Sequence, residues 1–276
     1  VDEALGEKLS TLIWEGEAEE LTLTQNAQPA LMATSMAAMA ALKAEGVTVD
    51  KAAYVAGHSL GEYAALCAAG TFSLADTARL LRIRGRAMQA AVPVGQGAMA
   101  ALLGLSFDQA EAVAAEAAQG EVCQVANQND PAQNVVSGSK AAVERAIDLA
   151  KAAGAKRALL LPVSAPFHCA LMAPAAEEMA GALADVTMNA PAVPVVANVV
   201  AEAVTDPEQI RKLLIEQVTG QVRWMSSVEW MGAQGVTEVW EIGAGKALSG
   251  MIRRINKEIT CVNIGTAADA AAVKTA

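Results

Sequence analysis

The stretch Ala52-Ala53-Tyr54-Val55-Ala56-Gly57-His58-Ser59-Leu60-Gly61-Glu62-Tyr63-Ala64-Ala65-Leu66-Cys67-Ala68-Ala69-Gly70 decides the fold class of this chain. A short apolar run over 52–56 ends at Gly57, a tight turn follows, and Glu62 to Ala69 has helical composition stopped by Gly70. That order is strand, turn, helix, and the turn reads Gly-x-Ser-x-Gly. In such an elbow the glycines permit a sharp reversal and the serine oxygen is held at the carboxyl end of the strand. The helix N-terminus beside it offers N–H groups to a developing oxyanion. Ser59 is therefore a candidate nucleophile, the plainer alternative being a Gly-rich turn with a capping serine.

Upstream, residues 1–45 read as helices, with Ala30 to Leu42 as a buried segment of small residues after Pro29. Downstream, Ser73 can cap a helix over Leu74 to Ala91 that carries Arg79, Arg82, Arg84 and Arg86, of which Arg79, Arg82 and Arg86 fit solvated helix arginines. From Gly95 the pattern becomes strand Ala98–Leu103, helix Phe107–Ala118, strands Val122–Ala126 and Asn134–Ser137, helix Lys140–Ala153 and strand Arg157–Val163. The order β-α-β-β-α-β is the ferredoxin-like unit. Beyond it, helices Met172–Leu183, Pro207–Gln217, Met225–Gln234 and Leu248–Ile255 alternate with strands Val193–Asn198 and Glu238–Glu241. The expected architecture is an α/β, hydrolase-like host with a parallel sheet and a serine elbow (1–94 and 165–276), and a ferredoxin-like α+β subdomain inserted at 95–164.

Composition narrows the function. The 276 residues are 54% hydrophobic and 18% charged, which excludes a disordered chain and supplies a sizeable core. A net charge of -10 argues against a nucleic-acid binder, because phosphate neutralisation needs a basic field. The four cysteines, Cys67, Cys123, Cys169 and Cys261, are scattered and only two histidines could help them hold a metal, so neither a zinc site nor a disulfide framework is expected. Reduced thiols in the cytoplasm are the default. The longest apolar stretch, Ala158 to Ala176, is broken by Pro162, Pro166, Pro174 and His168, so no membrane span is expected. The acidic, polar start has no signal-peptide character, and its lack of an initiator Met reads as processing or trimming.

A nucleophilic serine needs a base, and there are two histidines to choose from. His58 adjoins Ser59 in the elbow, so its side chain should diverge and take a packing role. His168, in Ser164-Ala165-Pro166-Phe167-His168, lies where the chain re-enters the host and can reach the cleft. It is the candidate base.

Beyond the elbow Gly57-His58-Ser59-Leu60-Gly61-Glu62-Tyr63, four further blocks follow along the chain: Arg82-Ile83-Arg84-Gly85-Arg86-Ala87-Met88-Gln89, Gly97-Ala98-Met99-Ala100-Ala101, Pro166-Phe167-His168-Cys169-Ala170-Leu171-Met172 and Ile242-Gly243-Ala244-Gly245-Lys246. Together they resemble the malonyl-CoA:acyl carrier protein transacylases of bacterial fatty-acid synthesis, over nearly the whole chain. The resemblance implies ping-pong acyl transfer, from malonyl-CoA to a serine and on to the phosphopantetheine thiol of acyl carrier protein. It implies Ser59 as nucleophile, His168 as base, Arg84 as the grip on the malonyl carboxylate and Leu60 as the source of an oxyanion-hole N–H. It also implies Gln217 as the residue whose carbonyl orients the histidine, with Asn127 and Asn129 lining the cleft. No cofactor is implied, coenzyme A thioester being a substrate, and a monomer is expected. Phe167 resembles the bulky residue of malonyl-using members. The family's opening strand and Gly-Gln-Gly-Ser-Gln-like turn, which bring a second oxyanion N–H, have no counterpart in residues 1–276. Either the sequence starts about one strand and one helix late, or the hole lacks a donor worth about 100-fold or more in rate.

Two rivals remain at this stage. A serine esterase or thioesterase shares the elbow, but places an acid between nucleophile and a late histidine. Asp76, Asp108, Asp130 and Asp148 lie in that interval, mostly at helix starts or in loops. A non-catalytic carrier-binding remnant is the other, and within the transferase reading an acyltransferase of a polyketide pathway stands as the alternative to fatty-acid synthesis.

Overall fold

The computed structural model of the chain describes residues 1–273. The chain opens with α1 (Asp2–Leu5), α2 (Leu9–Glu15), α3 (Ala18–Thr22) and α4 (Thr24–Ala44), as the helical composition of residues 1–45 predicts. After a 3-10 turn over Val49–Lys51 the chain bends at 52–53, so the expected strand is shortened to β1 (Val55–Ala56), and the elbow leads into α5 (Leu60–Ala68). Ser73 caps α6 (Leu74–Ala90), its Oγ accepting the Asp76 N–H at 3.0 Å.

Helices α4 and α6 pack against each other, and that contact corrects one expectation. Pro29 lies inside α4 and offers no N–H to the carbonyl four residues back, that of Gln25. Arg82 Nη1 donates to this carbonyl at 2.5 Å, and further donates to Asn26 Oδ1 and, through Nη2, to Glu7 Oε2. Arg82, expected as a solvated helix arginine, is therefore buried because it repairs a proline gap in a neighbouring helix.

The inserted unit follows as β2 (Gly97–Leu103), α7 (Phe107–Ala118), β3 (Cys123–Asp130), β4 (Gln133–Ser139), α8 (Lys140–Ala152) and β5 (Arg157–Leu160). Its four strands form an antiparallel sheet in the order β3-β4-β2-β5, the ferredoxin-like arrangement. Ala142, Val143, Ala146 and Ala150 make one stripe along α8 and close a core with Leu102, Leu105, Val113 and Val136. Strand β3 runs four residues beyond its expected end, so Asn127 and Asn129, expected in a loop, are strand residues. Its second half is buried on both faces because its free edge meets the host: Val222 N–H donates to the Ala126 carbonyl at 2.9 Å, and Gln128 N–H donates to the Val222 carbonyl at 3.0 Å.

The host resumes with α9 (Ala173–Ala184), β6 (Val195–Ala197), β7 (Glu202–Val204), α10 (Pro207–Thr219), α11 (Trp224–Ala233), β8 (Glu238–Ile242), α12 (Ala247–Ile255), β9 (Thr260–Ile264) and α13 (Ala267–Ala272). β1 and β6 are parallel, in register Val55↔Val195 and Ala56↔Val196, while β7 adds an antiparallel edge. β8 and β9 form a separate parallel pair. The host sheet is thus mixed and divided, where one parallel sheet was expected. Neither β7 nor β9 was expected. Tyr63, Leu66, Leu80, Met88, Met172, Met179 and Leu214 form the main core, which brings α5, α6, α9 and α10 together around the elbow.

Candidate active site

The parallel pairing of β1 with β6 sets two strand ends side by side, the position where α/β sheets hold their ligands. Ser59 follows β1 with φ 53° and ψ −109°, a conformation few non-glycine residues adopt. The first glycine of the motif is what the turn requires: a Cβ on Gly57 would lie 2.0 Å from the Gly61 carbonyl carbon. At Gly61 a Cβ would meet nothing within 4 Å, so the expectation that both glycines are sterically needed holds only for the first.

Asn198, directly after β6, clamps this turn. Its Oδ1 accepts the Ser59 N–H at 2.7 Å and its Nδ2 donates to the Gly57 carbonyl at 2.7 Å. Ser59 Oγ is 2.8 Å from His168 Nε2, and His168 Nδ1 is 2.8 Å from the Gln217 carbonyl. A carbonyl only accepts, so the proton sits on Nδ1 and leaves Nε2 as the acceptor for the serine hydroxyl. Burial, then repulsion from Arg84, push the His168 pKa down to about 3, so the ring is neutral in the free protein.

Arg84, on α6, is 1% exposed. Its Nη2 donates to Ser59 Oγ at 3.0 Å and Gln217 Oε1 at 2.9 Å, and its Nη1 donates to Gln28 Oε1 at 2.7 Å. Every acceptor it touches is a neutral oxygen, and its Nε–H has no partner among the described residues. Gln217 is wholly buried, so its side chain is no surface group. Its Nε2 donates to the Ser59 carbonyl at 3.1 Å and to Glu62 Oε2 at 2.9 Å. Glu62 Oε2 also accepts the Asn198 N–H at 2.9 Å. Burial raises the Glu62 pKa to about 7 against these hydrogen bonds and the attraction of Arg84.

The structure therefore brings Ser59, His168, Arg84 and Gln217 into one hydrogen-bonded cluster. Leu60 opens α5, and its N–H makes no hydrogen bond among the described residues. Asn127 sits beside Val222 at an irregularity in β3, and no hydrogen bond joins its side chain to the serine or the histidine. Asn129 Oδ1 accepts from His58 Nε2 at 2.9 Å, while the His58 ring leans on Trp224, centroids 5.9 Å apart. His58 thus diverges from the serine. Asp130, one of the aspartates between nucleophile and base, is tied instead to Arg254 at 2.7 Å. Sequence reasoning missed Asn198, Glu62 and Gln28 as members of the cluster. Placing the end of strand 193–198 beside the end of 52–56 would have found the first.

Among the described residues no helix is long and apolar enough to cross a membrane, and no cluster of three potential metal ligands occurs.

A strained serine elbow, a neutral histidine held by a carbonyl and a buried arginine on the nucleophile define a serine acyltransferase site. The acyl transferase domain family matches residues 1–223, and the chain belongs to that family. Malonyl CoA-acyl carrier protein transacylase of Escherichia coli K12 is 49% identical over 257 residues, 93% of this chain and 82% of that protein. The Bacillus subtilis enzyme of the same name is 47% identical over 264 residues, 95% of this chain and 82% of its own length. Among solved structures, acyl-carrier-protein-S-malonyltransferase from Bartonella henselae superimposes with a TM-score of 0.96 at 57% identity, covering 98% of this chain and 87% of that one. A malonyl-transacylase in complex with its type II PKS acyl-carrier protein superimposes with a TM-score of 0.94 at 41% identity, covering 98% and 87%.

Proposed function

We propose that this chain transfers a malonyl group from malonyl-CoA to the phosphopantetheine thiol of acyl carrier protein, through a malonyl ester on Ser59, for fatty acid biosynthesis. The observation that carries the substrate is Arg84: a buried guanidinium bonded only to neutral oxygens, 3.0 Å from the serine oxygen. A buried charge without a contacting counter-ion is costly, and an incoming carboxylate supplies one with a fork geometry that fits it. A neutral acyl group supplies none.

In the first half-reaction Ser59 Oγ attacks the thioester carbonyl while His168 Nε2 takes the serine proton. The Gln217 carbonyl steadies the Nδ1–H as the ring becomes cationic. The Leu60 N–H, at the head of α5, stabilises the oxyanion. Collapse expels the coenzyme A thiolate, which leaves with the proton from His168. The second half-reaction repeats these steps with the carrier's thiol as nucleophile and Ser59 Oγ as leaving group. The malonyl carboxylate also neutralises Arg84, which removes the largest influence after burial that holds the His168 pKa down. The acid group that selects the substrate thereby strengthens the base.

His168 meets a carbonyl where a hydrolase triad has an acid, and this supports transfer over the esterase reading. Ser59, His168, Arg84 and Gln217 all come from one chain, so the site we propose needs no residue from a second copy and is compatible with the expected monomer. Intact-protein mass spectrometry tests the proposal: malonyl-CoA should add one malonyl to Ser59, and later addition of carrier protein should move it. Release as free malonate, or no label on Ser59, would reject the reading.

A further inference from the structure

We propose that Glu62 is the internal counter-charge of Arg84 and a positioning residue for substrate selection, giving up its negative charge when the acyl carboxylate arrives. The inference rests on the reading of Arg84 as the grip for malonyl. Glu62 and Arg84 do not touch. The Gln217 side-chain amide lies between them, accepting from Arg84 Nη2 at 2.9 Å and donating to Glu62 Oε2 at 2.9 Å. The amide thus relays the guanidinium to the carboxylate and orients both. Glu62 is 1% exposed, so its charge has little solvent to stabilise it and depends on Arg84 and on the two N–H donors from Gln217 and Asn198.

The charged and titratable groups on the elements around it are Arg84 from α6, Tyr63 on its own helix, His58 in the elbow and His168 before α9. His168 is neutral, burial holds the His58 pKa below its ordinary value, and burial pushes the Tyr63 pKa up to about 12, so Arg84 is the one cation in the group. With one carboxylate present the site is balanced. A malonyl carboxylate on Arg84 makes two acids share one cation, and a proton on Glu62 restores the balance. Glu62 is suited to accept it, since its pKa is raised to about 7 by burial. Both N–H donors use Oε2, so a proton on Oε1 leaves the hydrogen bonds intact.

Malonyl binding and protonation of Glu62 are therefore linked, and each favours the other. In wild-type protein the KM of Ser59 self-malonylation should rise about 5-fold or more as the pH goes from about 5.5 to about 8.5, the low end of such couplings. Acetyl-CoA carries the same coenzyme groups without the carboxylate, and its inhibition constant corrects for their titration. Glu62→Gln keeps an acceptor for both donors and removes the charge, so its KM should stay low and flat with pH. Glu62→Ala removes the acceptor as well and should lower kcat about 10-fold or more, with recovery in Glu62→Gln separating positioning from charge. A Glu62→Gln profile that rises like that of wild type overturns the proposal.

A second measurement needs no variant. Wild-type protein mixed with malonyl-CoA near neutral pH in weak buffer should take up a substantial fraction of one proton per serine, read with an indicator dye. The acyl exchange itself is proton-neutral, because the serine proton leaves on the coenzyme A thiol. Malonylation of Ser59 without proton uptake overturns this proposal alone. Absence of malonyl from Ser59 overturns the acyl-transfer reading and this proposal with it.

Discussion

Replacing Arg84 with alanine separates an enzyme built for malonyl from one that accepts any acyl thioester. The guanidinium is buried and lies against the nucleophile, so a malonyl carboxylate reaching it would form a charge-assisted pair away from bulk water. Such bonds contribute about 1.5–3 kcal/mol, which corresponds to a loss of about 10- to 150-fold in kcat/KM for malonyl-CoA. Two effects oppose this for neutral substrates. Ser59 Oγ no longer accepts a hydrogen bond from Arg84, which frees a lone pair for attack, and His168 loses the cation that lowers its pKa, so base strength rises. Acetyl-CoA should therefore react at least as fast with Arg84→Ala as with wild type. Arg84→Lys should restore malonyl transfer only in part, since an ammonium keeps the charge without the fork. The alanine variant also leaves the Gln28 and Gln217 amide oxygens without their donor, so circular dichroism and thermal unfolding must accompany the assay. The assay is single-turnover acylation of Ser59 followed by intact mass, with each thioester in turn. Equal slowing of malonyl and acetyl transfer would refute the role given to the guanidinium.

His168→Ala should slow self-malonylation about 100-fold or more, the usual scale of general-base help, and His58→Ala should cost less; the reverse order would exchange their roles. Because the His168 pKa is lowered to about 3, the unfolded chain binds its proton first as pH falls; this residue's stabilising contribution is complete above about 6.5 and is lost between there and about 3, a slope that should flatten in a His168→Gln melting series. Gly57→Ala should abolish folding or lower the melting temperature sharply, since its Cβ would overlap the Gly61 carbonyl, whereas Gly61→Ala should be expressed and folded. Asn198→Ala should cost about 1–3 kcal/mol in thermal or denaturant unfolding by leaving the Ser59 N–H and Gly57 carbonyl unpaired, and should slow acylation at the same time. On a chain of net charge -10 an acidic carrier protein would need a local basic surface, and reversing the exposed charges at Lys156, Arg157, Arg253 and Lys257 should then weaken discharge to the carrier and its salt dependence while sparing self-malonylation; equal loss of both would indicate misfolding.

The parts of this structure that sequence reveals are those governed by neighbours along the chain. The elbow announces itself because strand, glycine turn and helix must be adjacent for Ser59 to be presented, and the β-α-β-β-α-β unit because its periodicities alternate within one continuous stretch. His168 could be reached by elimination. Arg82 and Glu62 show what local reading lacks. Both sit in helical segments where an exposed charge is the ordinary expectation, and each is buried for a reason located elsewhere: Arg82 by a carbonyl that Pro29 leaves open, Glu62 by amides brought from β6 and α10. Strands β7 and β9 escape notice because three and five residues give little periodicity, and the partner that makes each a strand supplies the missing information. Asn127 and Asn129 read as loop residues for the same reason, since the second half of β3 owes its extended form to Val222.

That seam between β3 and Val222 bears on how such proteins can be recombined. The inserted unit looks like a cassette with two short connections, yet its outermost strand is completed by a residue almost a hundred positions downstream, and His58 and Arg254 of the host reach across to Asn129 and Asp130. A chimera that exchanges 95–164 with a relative and loses the side-chain pairs that seat β3, so that the strand shifts off the segment around 221–223, would leave a strand edge with open N–H and C=O groups. Such an edge invites pairing with another molecule. Self-association of the chimera, more than loss of the catalytic residues, is the failure to anticipate. The transplantable unit is the subdomain together with its receiving loop, and breakpoints chosen by sequence continuity alone would cut through it.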